Sequence, residues 1–85
     1  MDRYSAFIKD YSHGAQEMKR LIDDYSNQAI NNQDFENILV NWMSNFPDKF
    51  FIDKKHKTFP PIAVRILGKR RISFLLSVLA AKKIS

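Results

Sequence analysis

Ten basic side chains lie in residues 48–85, against two acidic ones, Asp48 and Asp53. Cations at this density are suited to holding a polyanion, and nucleic-acid phosphate is the commonest. Seven of them fall into two clusters. Lys54, Lys55 and Lys57 flank His56, and Arg65, Lys69, Arg70 and Arg71 surround Gly68. Ser73 and Ser77 follow Lys69 at i+4 and i+8, so on a helix the three share one face. Basic groups at the start of such a helix would meet phosphates. Ser and Arg on its face can reach base edges. Residues 1–47 have the opposite balance, four basic groups against seven acidic ones. The two halves therefore carry −3 and +8, for a net of +5 over 85 residues. The ordinary use of such a charge run is a solvated, solubilising face. The partner it would otherwise fit is duplex DNA or an acidic protein surface.

Other chemistries find little support. There is no cysteine, which removes thiolate catalysis, disulfides and thiolate metal sites. The two histidines, His13 and His56, are far apart in sequence, with no carboxylate at a ligand spacing. No metal and no cofactor are expected. Pro47-Asp48 followed by Asp53-Lys54-Lys55 imitates the acidic signature of a metal-dependent nuclease. That chemistry needs two carboxylates on one metal and a rigid sheet beneath them, and no strand pair is visible. Neither histidine has an evident orienting acid, so no nucleophilic triad stands out. Two glycines cannot build a phosphate-cradling loop. The protein is read as a non-enzyme.

The elements that would position the basic residues are helical. Hydrophobic residues make up 45% and charged ones 27%, a globular mixture. Eleven aromatics (seven Phe, three Tyr, one Trp) must supply most of the core of so short a chain. Tyr4, Tyr11, Met18 and Tyr25 repeat every seven residues, with Phe7 and Leu21 between them, which reads as helix over residues 2–27. Ser12-His13-Gly14 should break it, leaving residues 1–13 as an arm or separate helix and a helix at 15–27. Residues 26–32 form a linker with Ala29 and Ile30 packed beneath it. Asn31 or Asn32 can cap the next helix. Phe35, Ile38, Leu39, Trp42, Met43 and Phe46 then trace the clearest amphipathic stripe, which Pro47 ends. Trp42 should be buried between the first two helices. Phe50-Phe51-Ile52 is a short apolar cluster, and Phe59-Pro60-Pro61 should be extended. Pro61 opens a short helix, Gly68 punctuates it, and residues 69–83 form the last helix. Ile72, Leu75, Leu76 and Leu79 make its core face, widened by Phe74 and Val78.

A short apolar helix, a glycine-centred turn and a second helix opening on Lys69-Arg70-Arg71 have the order of a helix-turn-helix at residues 61–82. One departure is plain. The residue after the turn glycine is usually apolar and buried in that motif, and here it is Lys69. An ordinary helical hairpin with a basic cap fits the same pattern. A basic-flanked apolar helix at 72–81 could also lie on an anionic membrane surface, although ten residues cannot span a bilayer.

From Ala15 to Leu79 the order of features resembles a family of short, uncharacterised bacterial proteins, often from low-GC genomes and mobile elements. The likeness rests on Leu21-Ile22-Asp23-Asp24-Tyr25, Ile30 ahead of Phe35, Asn45 with Lys49-Phe50, and Gly68-Lys69-Arg70-Arg71-Ile72. It covers about three quarters of the chain and carries no assigned activity. It implies the domain limits and a mobile-element setting.

The expectation is an all-α single domain spanning residues 1–85, with three to four helices. Its expected function is non-enzymatic nucleic-acid binding, with DNA favoured, in a regulatory or accessory role. Arg65, Lys69, Arg70 and Arg71 would contact phosphate, Ser73 and Ser77 would face the duplex, and Lys54, Lys55 and Lys57 would form a second patch. The alternative is an adaptor, inhibitor or accessory subunit docking an acidic protein through the same residues. The N-terminus lacks the pattern of a signal peptide, and with no cysteine a cytoplasmic setting is expected.

Overall fold

The computed structural model describes residues 4, 5, 7–53 and 58–82. They form an all-α domain of three helices, α1 (Tyr11–Ser26), α2 (Asn32–Asn45) and α3 (Pro61–Lys82), with a 3-10 turn at Pro47–Lys49. No strand occurs among the described residues. The main contact is between α1 and α3, and α2 touches α1 more lightly.

The described residues ahead of α1, 4, 5 and 7–10, are not helical, and the helix starts after Asp10 rather than after Gly14. The extended backbone of Asp10 ends this arm, and its carboxylate accepts from the His13 N–H at 2.8 Å. Ser12, His13 and Gly14 therefore belong to α1. Gly14 is a packing position rather than a breaker. A Cβ there would sit 2.9 Å from the Lys49 carbonyl oxygen and 3.2 Å from both Ile8 and Phe50. The arm is pinned by polar contacts. The Ser5 N–H donates to Glu17 at 2.6 Å, the Trp42 indole donates to the Ser5 carbonyl at 2.9 Å, and the Tyr4 hydroxyl donates to Asp24. Ile8 and Tyr4 add apolar cover from the same segment.

Asn27, Gln28 and Ala29 end α1 in a Schellman arrangement. The Ala29 N–H reaches the Asp24 carbonyl at 2.7 Å, and the Gln28 N–H reaches that of Tyr25 at 3.1 Å. Gln28 occupies the left-handed position of this motif, with φ of 61°. The sharp turn leaves Ala29 exposed, contrary to the expected packing, while Ile30 does rest on the core. Asn31 caps α2 by accepting from the Asp34 N–H at 2.8 Å. The α2 stripe is buried as its spacing predicts, with Phe35, Leu39, Trp42 and Met43 inside. Trp42 is 1% exposed, in one cluster with Met18 and Leu21 of α1, and its ring also meets those of Tyr4 in the arm and Phe50 in the following loop.

Phe50 and Phe51 are core residues, whereas Ile52 is exposed. Pro61 begins α3 as its fixed φ favours. Gly68 interrupts this helix with φ 80° and ψ 163°, so 61–67 and 69–82 are two helical segments. The expected helix-turn-helix is thus present only as a break. One residue absorbs the change of direction, where that motif uses a turn of about three or four. Ala63, Leu67, Leu75 and Leu79 face the core.

Candidate nucleic-acid interface

Gly68 sets the geometry of the basic cluster. Nothing lies within 4 Å of where its Cβ would be, so the demand for glycine is conformational rather than steric. The combination of positive φ and extended ψ is a region that essentially only glycine enters. Arg65 precedes the break and Lys69 and Arg70 follow it, all three exposed. None of these three forms an ion pair among the described residues.

Arg71 is placed differently. Its Nε and Nη2 donate to the two carboxylate oxygens of Asp23 at 2.8 and 3.0 Å, a two-bond fork. Its Nη1 donates to the Leu67 carbonyl at 3.0 Å. The Asp23 hydrogen bond raises the Arg71 pKa above its ordinary value, with the carboxylate's charge acting the same way and burial opposing both. Arg71 therefore fastens α1 to both sides of the break. Its guanidinium is engaged within the chain, unlike Lys69 and Arg70. Ser73 and Ser77 are exposed, on the stripe their spacing predicts. Lys54, Lys55 and Lys57 lie outside the described residues.

Beside the Asp23–Arg71 pair is an open groove of about 510 Å³ walled by Ile22, Ser26, Arg70 and Phe74. Ser26 and Phe74 also wall a neighbouring depression of about 600 Å³, which runs to Tyr25, Gln28, Asn31 and Asn32. Beneath it is an aromatic trio. Tyr25 stacks on Phe35 with centroids 4.2 Å apart, and Phe74 lies 6.1 and 6.2 Å from the two rings. Tyr25 and Phe74 are both partly exposed.

Sequence reasoning found Arg65, Lys69, Arg70, Ser73 and Ser77 as surface residues but missed Asp23, Tyr25 and Gln28. Asp23 did carry a signal. A carboxylate near the C-terminal end of a helix opposes the helix dipole, and α1 has no basic residue in its last turn. Its cation had to come from elsewhere. Tyr25 read as a core residue, and nothing in a sequence marks a glutamine for left-handed backbone.

Among the described residues no helix is long and apolar enough to cross a membrane. A family model described as a conserved hypothetical protein matches residues 5–80. No curated protein matches, and no solved structure does.

Proposed function

Starting from a chain that belongs to this conserved hypothetical protein family, we propose that it is a non-enzymatic nucleic-acid-binding protein, with DNA its favoured partner. The observation that carries the reading is the display of Arg65, Lys69 and Arg70 around Gly68, exposed and without an acidic partner among the described residues. Desolvating three cations is favourable only against a surface that returns negative charge, and the phosphate backbone does so at regular spacing. The 69–82 segment opens on Lys69-Arg70-Arg71 and Asp23 answers only Arg71, so Lys69 and Arg70 oppose the helix dipole until a further anion is present. Ser73 and Ser77 extend the same exposed stripe with short donors suited to sugar or phosphate oxygens. Asp23 holds Arg71 back from this surface, so the contact set is Arg65, Lys69 and Arg70. A regulatory or accessory role in a cytoplasmic, mobile-element setting belongs to the same proposal.

The test is a salt titration of binding to duplex DNA. Three phosphate contacts give a slope of about −2.7 in log affinity against log salt, at about 0.9 per contact. Arg70→Ala should flatten it by about 0.9. A slope near zero, or no duplex binding at low salt, overturns the proposal. The rival reading, an acidic protein surface docked on the same residues, would then lead.

A further inference from the structure

We propose that the groove between the α1–α2 turn and the second segment of α3 holds one unpaired nucleotide, its base against Phe74 and Tyr25 and its phosphate on Arg70. This inference rests on the nucleic-acid reading and adds to it a preference for strands with an unpaired end or gap.

Three features of the groove carry it. The first is the pairing of a flat apolar surface with a cation. Phe74 and Arg70 line the same depression, and base stacking needs only an exposed ring face. The second is the donor balance. The side-chain carbonyl of Asn31 is taken by the Asp34 N–H, and that of Asn32 by the Tyr25 hydroxyl at 2.5 Å. Their amide NH2 groups still offer donors to the depression they line, as Arg70 does to the adjoining one. A ligand spanning the two depressions, which share Ser26 and Phe74, would match these donors if it were acceptor-rich, planar and anionic, as a nucleotide is. The third is Gln28, which lines the adjoining depression that shares Ser26 and Phe74 with the groove. A glycine would occupy its left-handed position without strain, but it would remove a long amide side chain from that depression. Asp23 also lines the groove, and a bare carboxylate would repel phosphate. The forked pair with Arg71 neutralises it.

The experiment compares a blunt DNA duplex with the same duplex carrying a short single-stranded thymidine overhang. The overhang should raise affinity by about 5- to 150-fold, the range for one base stacked on an aromatic side chain. Phe74→Leu keeps an apolar side chain in the core and removes the ring. It should abolish that gain while leaving blunt-duplex affinity and its salt slope unchanged. Ser26→Leu narrows the groove from an exposed position. It should do the same, which guards against a folding defect in the Phe74 variant. Equal affinity for the two duplexes, or a gain that both variants retain, overturns the inference and leaves the phosphate-binding proposal standing. If neither duplex binds at low salt, the proposal beneath it has failed as well.

Discussion

Gly14 and Arg71 each reverse what their residue type suggests alone. In a helix interior, glycine to alanine normally stabilises by about 1 kcal/mol. At Gly14 the added methyl would lie 2.9 Å from the Lys49 carbonyl oxygen, a backbone atom with little freedom to retreat. Overpacking of this kind costs about 1–3 kcal/mol, so the clash offsets or outweighs the propensity gain. Gly14→Ala should lower the melting temperature by several degrees, and a rise would show that the 47–50 turn yields easily. The neighbouring arginines should also separate. Arg70→Ala should change stability by no more than about 0.5 kcal/mol, as an unpaired exposed residue does. Arg71→Ala removes a forked pair and a bond to the Leu67 carbonyl. Both groups of the pair are over a third or near a third exposed, so solvent screening limits the pair itself to about 1 kcal/mol. With the carbonyl bond the total loss should be about 1–2 kcal/mol by denaturant titration. Equal stability of the two variants would mean that the Asp23 fork does not persist in solution.

At the level of elements, two backbone positions decide where helices end. Gln28 terminates α1 in left-handed backbone, which an L-residue adopts at a cost of about 1–2 kcal/mol. Gln28→Gly should stabilise the domain by about 0.5–1 kcal/mol, since glycine adopts that conformation freely but loses more entropy on folding. Gln28→Val should destabilise it, and the opposite order in chemical denaturation would refute the Schellman ending. Gly68 has open space around it and a backbone that other residues avoid. Gly68→Ala should therefore cost about 1–3 kcal/mol through strain alone. A variant at least as stable as the parent would indicate that 61–82 can run as one straight helix.

For the whole molecule, the break in α3 is a condition of compactness. Twenty-two residues of straight helix would extend about 33 Å, beyond the longest dimension of 29 Å. Folding at Gly68 lets Leu67 and Leu75 enter one core, and Arg71 then bridges the bend. The arm closes the other side of that core, and Trp42 connects the two. Trp42→Ala would empty a large volume and leave the Ser5 carbonyl without its donor, at a cost of about 3–5 kcal/mol. In a domain this small that removes most of the margin of stability. Trp42→Phe keeps the ring contacts with Tyr4 and Phe50 and should cost far less. Native emission from Trp42 should be blue-shifted, and a solvent-like maximum would contradict its burial.

The helical class, the α2 stripe, the stop at Pro47, the start at Pro61 and the break at Gly68 are all legible in the order of residues alone. Each depends on spacing or on a backbone rule that acts over a few residues. That order also shows which half carries the positive charge. What it left open depends on contacts between distant residues. Gly14 reads as a breaker until the Lys49 carbonyl is seen beside it. Arg71 is indistinguishable from Arg70 until Asp23, 48 residues earlier, takes up its guanidinium. Only tertiary structure brings those residues together, because close packing and ion-pair geometry are set by the mutual placement of whole elements. Local rules decide where helices begin and end, and packing decides which of their side chains remain available to a partner.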